Sequence, residues 1–174
     1  MLLAELAHLS WEHFHGGVQT HYFLRRADLP AISNWWGLVL LPVLTWFCTG
    51  RTQKRMAAFA EAQQQISKQT VRVVVDFVGA LLLGSLLSIS FARGDENVSF
   101  VLLLSTLLLG LLLPIYRAEC VLGFVLGMTF TFAPVIPTVI GSIIAMLSAT
   151  LHLFVYVNLV RLWNWVRQEW AQKT

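Results

Sequence analysis

Long apolar runs separated by short polar segments are the dominant pattern of this chain. The runs cover residues 34–50, 71–92, 99–116 and 120–160, and the last is long enough to cross a membrane twice. A span needs about 20 mostly apolar residues to cross a hydrocarbon core of about 30 Å, and its backbone must be hydrogen-bonded within the protein. The pattern therefore predicts an all-α, polytopic integral membrane helical bundle that forms one domain.

Prolines and polar turns divide these runs into five predicted transmembrane helices. We place them at residues 34–50, 71–92, 99–116, 120–136 and 138–160. Residues 1–30 form a His-rich N-terminal segment, whose first 24 residues are predicted to be an amphipathic helix. Pro42 should kink or end the first span, which leaves a re-entrant hairpin turning at Pro42 as the alternative. Five spans are favoured, because re-entrant backbone needs protein cover or a water-filled cavity.

The distribution of charge predicts how the chain is oriented. Residues 51–72 carry five basic side chains and one acidic side chain, Glu61. Basic loops stay on the cytoplasmic side of a membrane, so we place segment 51–70 and the basic C-terminal tail there. We expect segment 51–70 to be largely helical, since residues 56–69 contain no proline or glycine. The predicted location is a bacterial inner (plasma) membrane with a cytoplasmic C-terminus.

Composition supports the same class. The chain is 57% hydrophobic and only 12% charged, whereas a soluble domain carries about 25% charged residues. The net charge of +3 is modest and unevenly spread, which indicates membrane orientation rather than nucleic-acid binding. We expect the lipid bilayer as a partner, together with a second copy or a membrane complex. Cys48 and Cys120 are interpreted as free packing residues.

A cluster of histidines near the N-terminus is the first candidate site. Four of the five histidines fall within fourteen positions, at His8, His13, His15 and His21. Two Glu-x-x-His units, which start at Glu5 and Glu12, would share one helix face. A second geometry folds His21 back toward His13 and His15 across two glycines. These ligands suit a transition metal such as Zn, Cu or Fe, and the alternative is an ordinary interfacial amphipathic face.

Ionisable residues inside the spans are the second candidate site. Asp76 lies in the second predicted span and His152 in the fifth, at similar depths, and Glu119 lies on the same cytoplasmic side. Intramembrane charges tend to mark a site or pathway, and a carboxylate–imidazole pair can pass a proton or orient a ligand. We therefore assign Asp76, His152 and Glu119 to a candidate proton or ion pathway. The structural alternative pairs Asp76 with Arg72, one helical turn earlier.

Small residues and prolines suggest how the last two spans pack. Gly123 and Gly127 form one row, and residues 141, 145 and 149 form another, so helices can approach closely there. We favour a contact within one chain over a contact between two copies. Residues 130–137 contain two prolines, which predict a tight turn in preference to an ion-coordinating helix break.

Three functional hypotheses follow from these features. The first is a membrane protein that binds a metal or cofactor through the N-terminal His/Glu cluster. The second is a proton- or ion-coupled transporter or channel that uses Asp76 and His152. The third is an accessory structural subunit of a membrane complex. No sequence motif identifies a reaction, so the pattern leaves open whether the chain is an enzyme.

Overall fold

The computed structural model describes residues 20–22, 31–33, 36–61 and 66–173, and helices dominate this part of the chain. The helices are α1 (Gly37–Glu61), α2 (Ile66–Arg93), α3 (Glu96–Leu112), α4 (Ala118–Phe132), α5 (Val135–Thr150) and α6 (Tyr156–Lys173). A π-helical turn (Leu151–Val155) joins α5 to α6 without a break. The prediction of a helical fold is confirmed, because helices cover most of each described apolar run.

Two short strands precede the helices. Strand β1 (Thr20–Tyr22) pairs antiparallel with β2 (Ala31–Ser33), with Thr20 opposite Ser33. The amphipathic helix predicted for residues 1–24 is therefore wrong at residues 20–22, and residues 1–19 lie outside the described part. β-Branched and aromatic side chains such as Thr20, Tyr22 and Ile32 favour a strand, which explains the difference.

Helix α1 continues without a break past its proline. It runs for 25 residues from Gly37 to Glu61, with Pro42 in its first half. A proline removes one backbone hydrogen bond but leaves the rest of an apolar helix paired. The re-entrant hairpin turning at Pro42 is therefore wrong. The prediction that the basic segment 51–70 is helical is confirmed as far as Glu61 and again from Ile66.

A glycine turn connects α2 to α3. Gly94 adopts φ +80°, a conformation open to glycine at little cost. The hydroxyls of Ser90 and Ser99 are buried and lie 2.9 Å apart, so one donates a hydrogen bond to the other. We call this end of the bundle the turn end.

The ends of the predicted third and fourth spans need correction. Helix α3 stops at Leu112 instead of residue 116, because Pro114 forces Leu113 into an extended conformation (φ −112°, ψ 148°). Helix α4 stops at Phe132 instead of residue 136, at the positive φ of Ala133. The prolines do form the expected tight turn, in which the Pro134 carbonyl accepts a 2.6 Å hydrogen bond from the Thr138 hydroxyl.

Glycines set the closest helix crossing, between α2 and α4. A Cβ added at Gly84 would lie 2.5 Å from the Phe124 carbonyl oxygen, and one added at Gly127 would lie 2.5 Å from the Leu81 carbonyl oxygen. The favoured contact within one chain is confirmed, but Gly123 and Gly127 face α2 rather than the last span. Gly141 of α5 instead packs on the Phe124 ring. Leu87, Phe124 and Met128 form the buried core at this crossing.

Among the described helices, two are long and apolar enough to cross a membrane. They are Ile66–Arg93 and Val135–Trp165, with 28 and 31 residues. Helices α3 and α4 are apolar but shorter, and a 17-residue helix such as α3 is about 26 Å long at 1.5 Å per residue. The turns at Pro114 and Ala133 shorten these helices, so the prediction of five full-length spans is met only in part.

Candidate functional site

Charged side chains from three parts of the chain meet at the end of the bundle opposite the turn end. Two ion pairs join them there, one between Arg55 and Glu119 and one between Arg117 and Asp76. They bring the second half of α1, the first turns of α2 and the start of α4 to one level. We call this the basic end, because its lysines and arginines outnumber its acids.

Glu119 is the most deeply buried charge at the basic end. Its side chain is 4% exposed, and its Oε1 accepts a 2.5 Å hydrogen bond from Arg55 Nη2. Its Oε2 accepts a second hydrogen bond, 3.2 Å long, from the hydroxyl of Thr52. Both carboxylate oxygens are therefore paired with α1, so Glu119 holds α1 against α4. The pathway role predicted for Glu119 stays a prediction.

Asp76 is paired with the residue just before α4. Arg117 Nη1 donates a 2.9 Å hydrogen bond to Asp76 Oδ2, and the side chains are 20% and 27% exposed. The contact crosses from the α3–α4 connection to α2. The alternative partner proposed from sequence, Arg72, forms no hydrogen bond with Asp76 in the described part of the chain.

His152 lies in the π-helical turn between α5 and α6. Its Nδ1 lies 2.9 Å from the Ser148 carbonyl oxygen, and since a carbonyl only accepts, Nδ1 donates. Its ring is tilted against the Tyr116 ring, with 6.1 Å between the centroids. No hydrogen bond or ion pair joins His152 to Asp76 among the described residues, so the structure does not form the pair proposed from sequence.

A cavity of about 350 Å³ lies between α2, α3, α4 and α5, next to the Asp76–Arg117 pair. Its walls are almost entirely apolar and include Val75, Ala80, Leu83, Leu109, Phe124 and Ile144. Arg72 and Asp76 are the charged residues among the described side chains that line it, both near its basic end. The cavity therefore has an apolar body and a charged margin.

The cavity opens on the side of the bundle, between α2 and α3. Val75 lines it and is 61% exposed, and Leu113 on the opposite wall is also exposed. Gly79 lines the cavity from the same helix as Val75, and a Cβ added there would meet no atom within 4 Å. The missing side chain therefore leaves open space in the α2 wall of the cavity.

Most of the predicted metal ligands lie in a part of the chain that the structure does not describe. His8, Glu12, His13 and His15 lie outside the described residues, and His21 is described only as part of the backbone of β1. Within the described ranges, no group of three His, Cys, Asp or Glu side chains could hold a metal ion. Cys48 and Cys120 are buried free thiols, as predicted.

Sequence reasoning missed the cavity and the pairing pattern of the charges. Arg117 and Glu119 carried a signal, because they are two charges only two positions apart between apolar runs. Their separate partners, Asp76 and Arg55, depend on helix rotation, which the sequence alone did not fix. Gly79 gave no sign of a cavity, since glycine in an apolar helix is common in membranes.

The site has no counterpart that a comparison with known proteins identifies. Comparison of the chain with protein-family models, with curated proteins and with solved structures finds no match.

Proposed function

We propose that this chain is an integral membrane protein whose helical bundle binds a small amphipathic molecule. The observation that carries the proposal is the apolar cavity, which opens sideways between α2 and α3 and ends at the Asp76–Arg117 pair. Binding sites for small molecules are mostly apolar pockets of about 300–1,000 Å³ with a few polar groups that fix orientation, and this cavity meets that description.

The low burial of the two long apolar helices supports a membrane setting. Only 22% of the most apolar window of Ile66–Arg93, and 11% of that of Val135–Trp165, is buried inside the bundle. An apolar core helix of a water-soluble protein would be mostly covered, because large exposed apolar patches are rare on soluble monomers. Lipid chains are the natural cover for these helices.

The order of the helices supports five crossings in the proposed membrane. Helices α1, α3 and α5 run from the turn end to the basic end, while α2 and α4 run back. We place the basic end in the cytoplasm of a bacterial inner (plasma) membrane, following the positive-inside rule. This puts the C-terminus on the cytoplasmic side and lets the short helices α3 and α4 cross with local bilayer thinning.

The proposed ligand lies with its apolar part against the cavity wall and its polar head at the basic end. The aliphatic and aromatic walls offer nothing to a polar group, which would lose its hydrogen bonds to water there. The charged margin keeps a head group hydrated and hydrogen-bonded at the membrane surface. The lateral opening at Gly79 lets such a molecule enter from the bilayer without crossing the water phase.

Filling the gap at position 79 is expected to block the site. Gly79→Phe adds a large side chain where a Cβ meets nothing within 4 Å, so the bundle has room to fold around it. In nanodiscs of zwitterionic lipid, we expect a diazirine-bearing dodecanol to label Ala80 and Leu83 in the original protein. Labelling of these residues should fall at least about tenfold in the variant, since the ring occupies the entry.

Gly50→Phe is the matched control for this experiment. Gly50 also has no atom within 4 Å of an added Cβ, but it lies on α1 and does not line the cavity. Labelling of Ala80 and Leu83 should be unchanged in this control. Equal labelling of these residues in the Gly79→Phe and original proteins would overturn the proposal, as would labelling confined to outward-facing residues such as Met146.

Metal binding by the N-terminal histidines stays a second, independent prediction. It rests on the density of histidine between residues 8 and 21, a stretch largely outside the described residues. Elemental analysis of gently purified protein should find a stoichiometric transition metal that is lost in a His13→Ala, His15→Ala, His21→Ala triple variant. Protein that contains no metal and binds none in titration would end this hypothesis.

The two other hypotheses from sequence also stay predictions. Ion-coupled transport through Asp76 and His152 would need each group to leave its present partner, since Asp76 is bound to Arg117 and His152 to the Ser148 carbonyl. A role as an accessory subunit, or as one copy in a homo-oligomer, would use the exposed apolar faces of the helices. The cavity favours ligand binding over either one, because it gives a specific chemical site.

A further inference from the structure

One cation at the margin of the cavity has no counter-charge among the described residues. Arg72 lines the cavity and its side chain is exposed. Within the described residues, no hydrogen bond or ion pair joins it to another side chain. The acid one turn further along α2, Asp76, is already neutralised by Arg117. The margin therefore carries an excess positive charge, which is located on Arg72.

The charged and apolar groups of α2 are arranged in order along one face. Arg72, Asp76 and Gly79 follow one another at spacings of four and three residues, which places them on the same side of a helix. Ala80 and Leu83 continue the cavity wall toward the turn end. A molecule lying along this face would meet first a cation, then an ion pair, then a purely apolar surface.

We infer that the ligand is an anionic amphiphile, with a carboxylate or phosphate head on an apolar chain. This inference rests on the proposed function and adds the charge of the head group. A guanidinium presents paired N–H donors that match the oxygens of either head, and such charge-assisted hydrogen bonds are the strong ones. A cationic head would be repelled by Arg72, while Asp76, already bound to Arg117, offers it little compensation.

The positions of Arg72 and of the deeper cavity lining along the bundle agree with an anionic head group on an apolar chain. Arg72 lies in the second turn of α2, at the basic end, where a head group would reach the membrane surface. Leu83, an apolar residue of the lining, and Thr106 lie further toward the turn end than Arg72, where the chain of the ligand would be covered. The Thr106 hydroxyl donates to the Leu102 carbonyl at 2.8 Å, so it places no free polar donor beside the chain.

Four photoreactive probes with one common chain test the charge preference. Dodecanoic acid, dodecyl phosphate, dodecanol and dodecyltrimethylammonium each carry the same diazirine on the chain, and each is added to full-length protein in zwitterionic nanodiscs. Labelling of Ala80 and Leu83 is divided by labelling of Met146, an exposed residue of α5 that reports the amount of probe in the bilayer. We expect a ratio up to about fivefold higher for an anion than for the cation, which is the upper end of the range for an exposed ion pair.

Removal of the charge on Arg72 should abolish this preference. Arg72→Gln keeps a long polar side chain without the charge, so the anion and cation ratios should become equal. Lys68→Gln is the matched control, because Lys68 is an exposed cation one turn earlier on α2 that does not line the cavity. This control should retain the preference.

The outcomes separate the inference from the proposed function. Two outcomes would overturn the anionic head group but leave the ligand-binding proposal standing. One is labelling of the cavity by dodecanol with no excess for either anion. The other is an anion preference that survives Arg72→Gln. Failure of all four probes to label the cavity would overturn the proposed function itself. An excess for dodecanoic acid alone indicates a fatty acid, and an excess for dodecyl phosphate alone indicates a phospholipid-derived head.

Discussion

Replacing Arg55 by methionine is expected to lower the free energy of unfolding by about 3 kcal/mol, because it leaves a buried carboxylate without its cation. Glu119 is 4% exposed, and among the described residues its one charged donor is Arg55, with Thr52 as a neutral second donor. Water cannot replace the guanidinium at a site so well covered. Reversible unfolding in mixed detergent micelles, followed by circular dichroism, measures the change.

Two further variants separate the buried charge from a general effect on α1. Lys54→Met removes an exposed cation at the neighbouring position and should change stability by less than about 0.5 kcal/mol. The double variant Arg55→Met, Glu119→Gln removes both charges and should recover most of the loss, since removing both partners of a buried pair is often nearly neutral. Equal stability of the Arg55→Met and Lys54→Met proteins would contradict the assigned role of this pair.

The helices of this fold could be predicted because each one coincides with an apolar run. The second span was predicted for residues 71–92 and lies inside α2, Ile66–Arg93. The ends of the helices were harder to predict, since they depend on single residues. Pro114 ends α3 by acting on the residue before it, and Ala133 ends α4 through a positive φ that alanine rarely adopts. The π-helical turn at residues 151–155 left no trace in the hydrophobic pattern.

The candidate site was predictable in its residues but not in its contacts. The sequence predicts Asp76 and Glu119 on the same side of the bundle, and the two ion pairs place them there. Which acid meets which arginine depends on how each helix is rotated about its axis. Asp76 and His152 lie on elements that the sequence placed at equal depth, but equal depth does not make two side chains neighbours. The cavity depends on the same rotations and on the gap at Gly79.

Two glycines of α2 show how one residue type serves two purposes in this bundle. At Gly84, the absence of a side chain lets the backbones of α2 and α4 touch, which supports the core around Leu87. At Gly79, one and a half turns earlier, the same absence leaves open space that becomes the mouth of the cavity. Close packing toward the turn end and an opening toward the basic end are thus built into one helix.

Gly84→Ala and Gly79→Ala are therefore expected to change stability in opposite directions. Each variant gains up to about 1 kcal/mol from the higher helix propensity of alanine. At Gly84 the new Cβ would lie 2.5 Å from the Phe124 carbonyl oxygen, a backbone atom that cannot swing away, so α2 and α4 must separate. Overpacking of this kind costs about 1–3 kcal/mol, and more where a helix contact is lost.

The same unfolding measurement compares the two alanine variants directly. We expect Gly79→Ala to be as stable as the original protein or more stable, and Gly84→Ala to fall below it, with a difference of about 2 kcal/mol between them. Because both substitutions are on α2 and add the same methyl group, helix propensity cancels in this difference. Equal stability of the two variants would show that α2 and α4 do not approach as closely as Gly84 implies. The helix arrangement that encloses the cavity would then lack its main support.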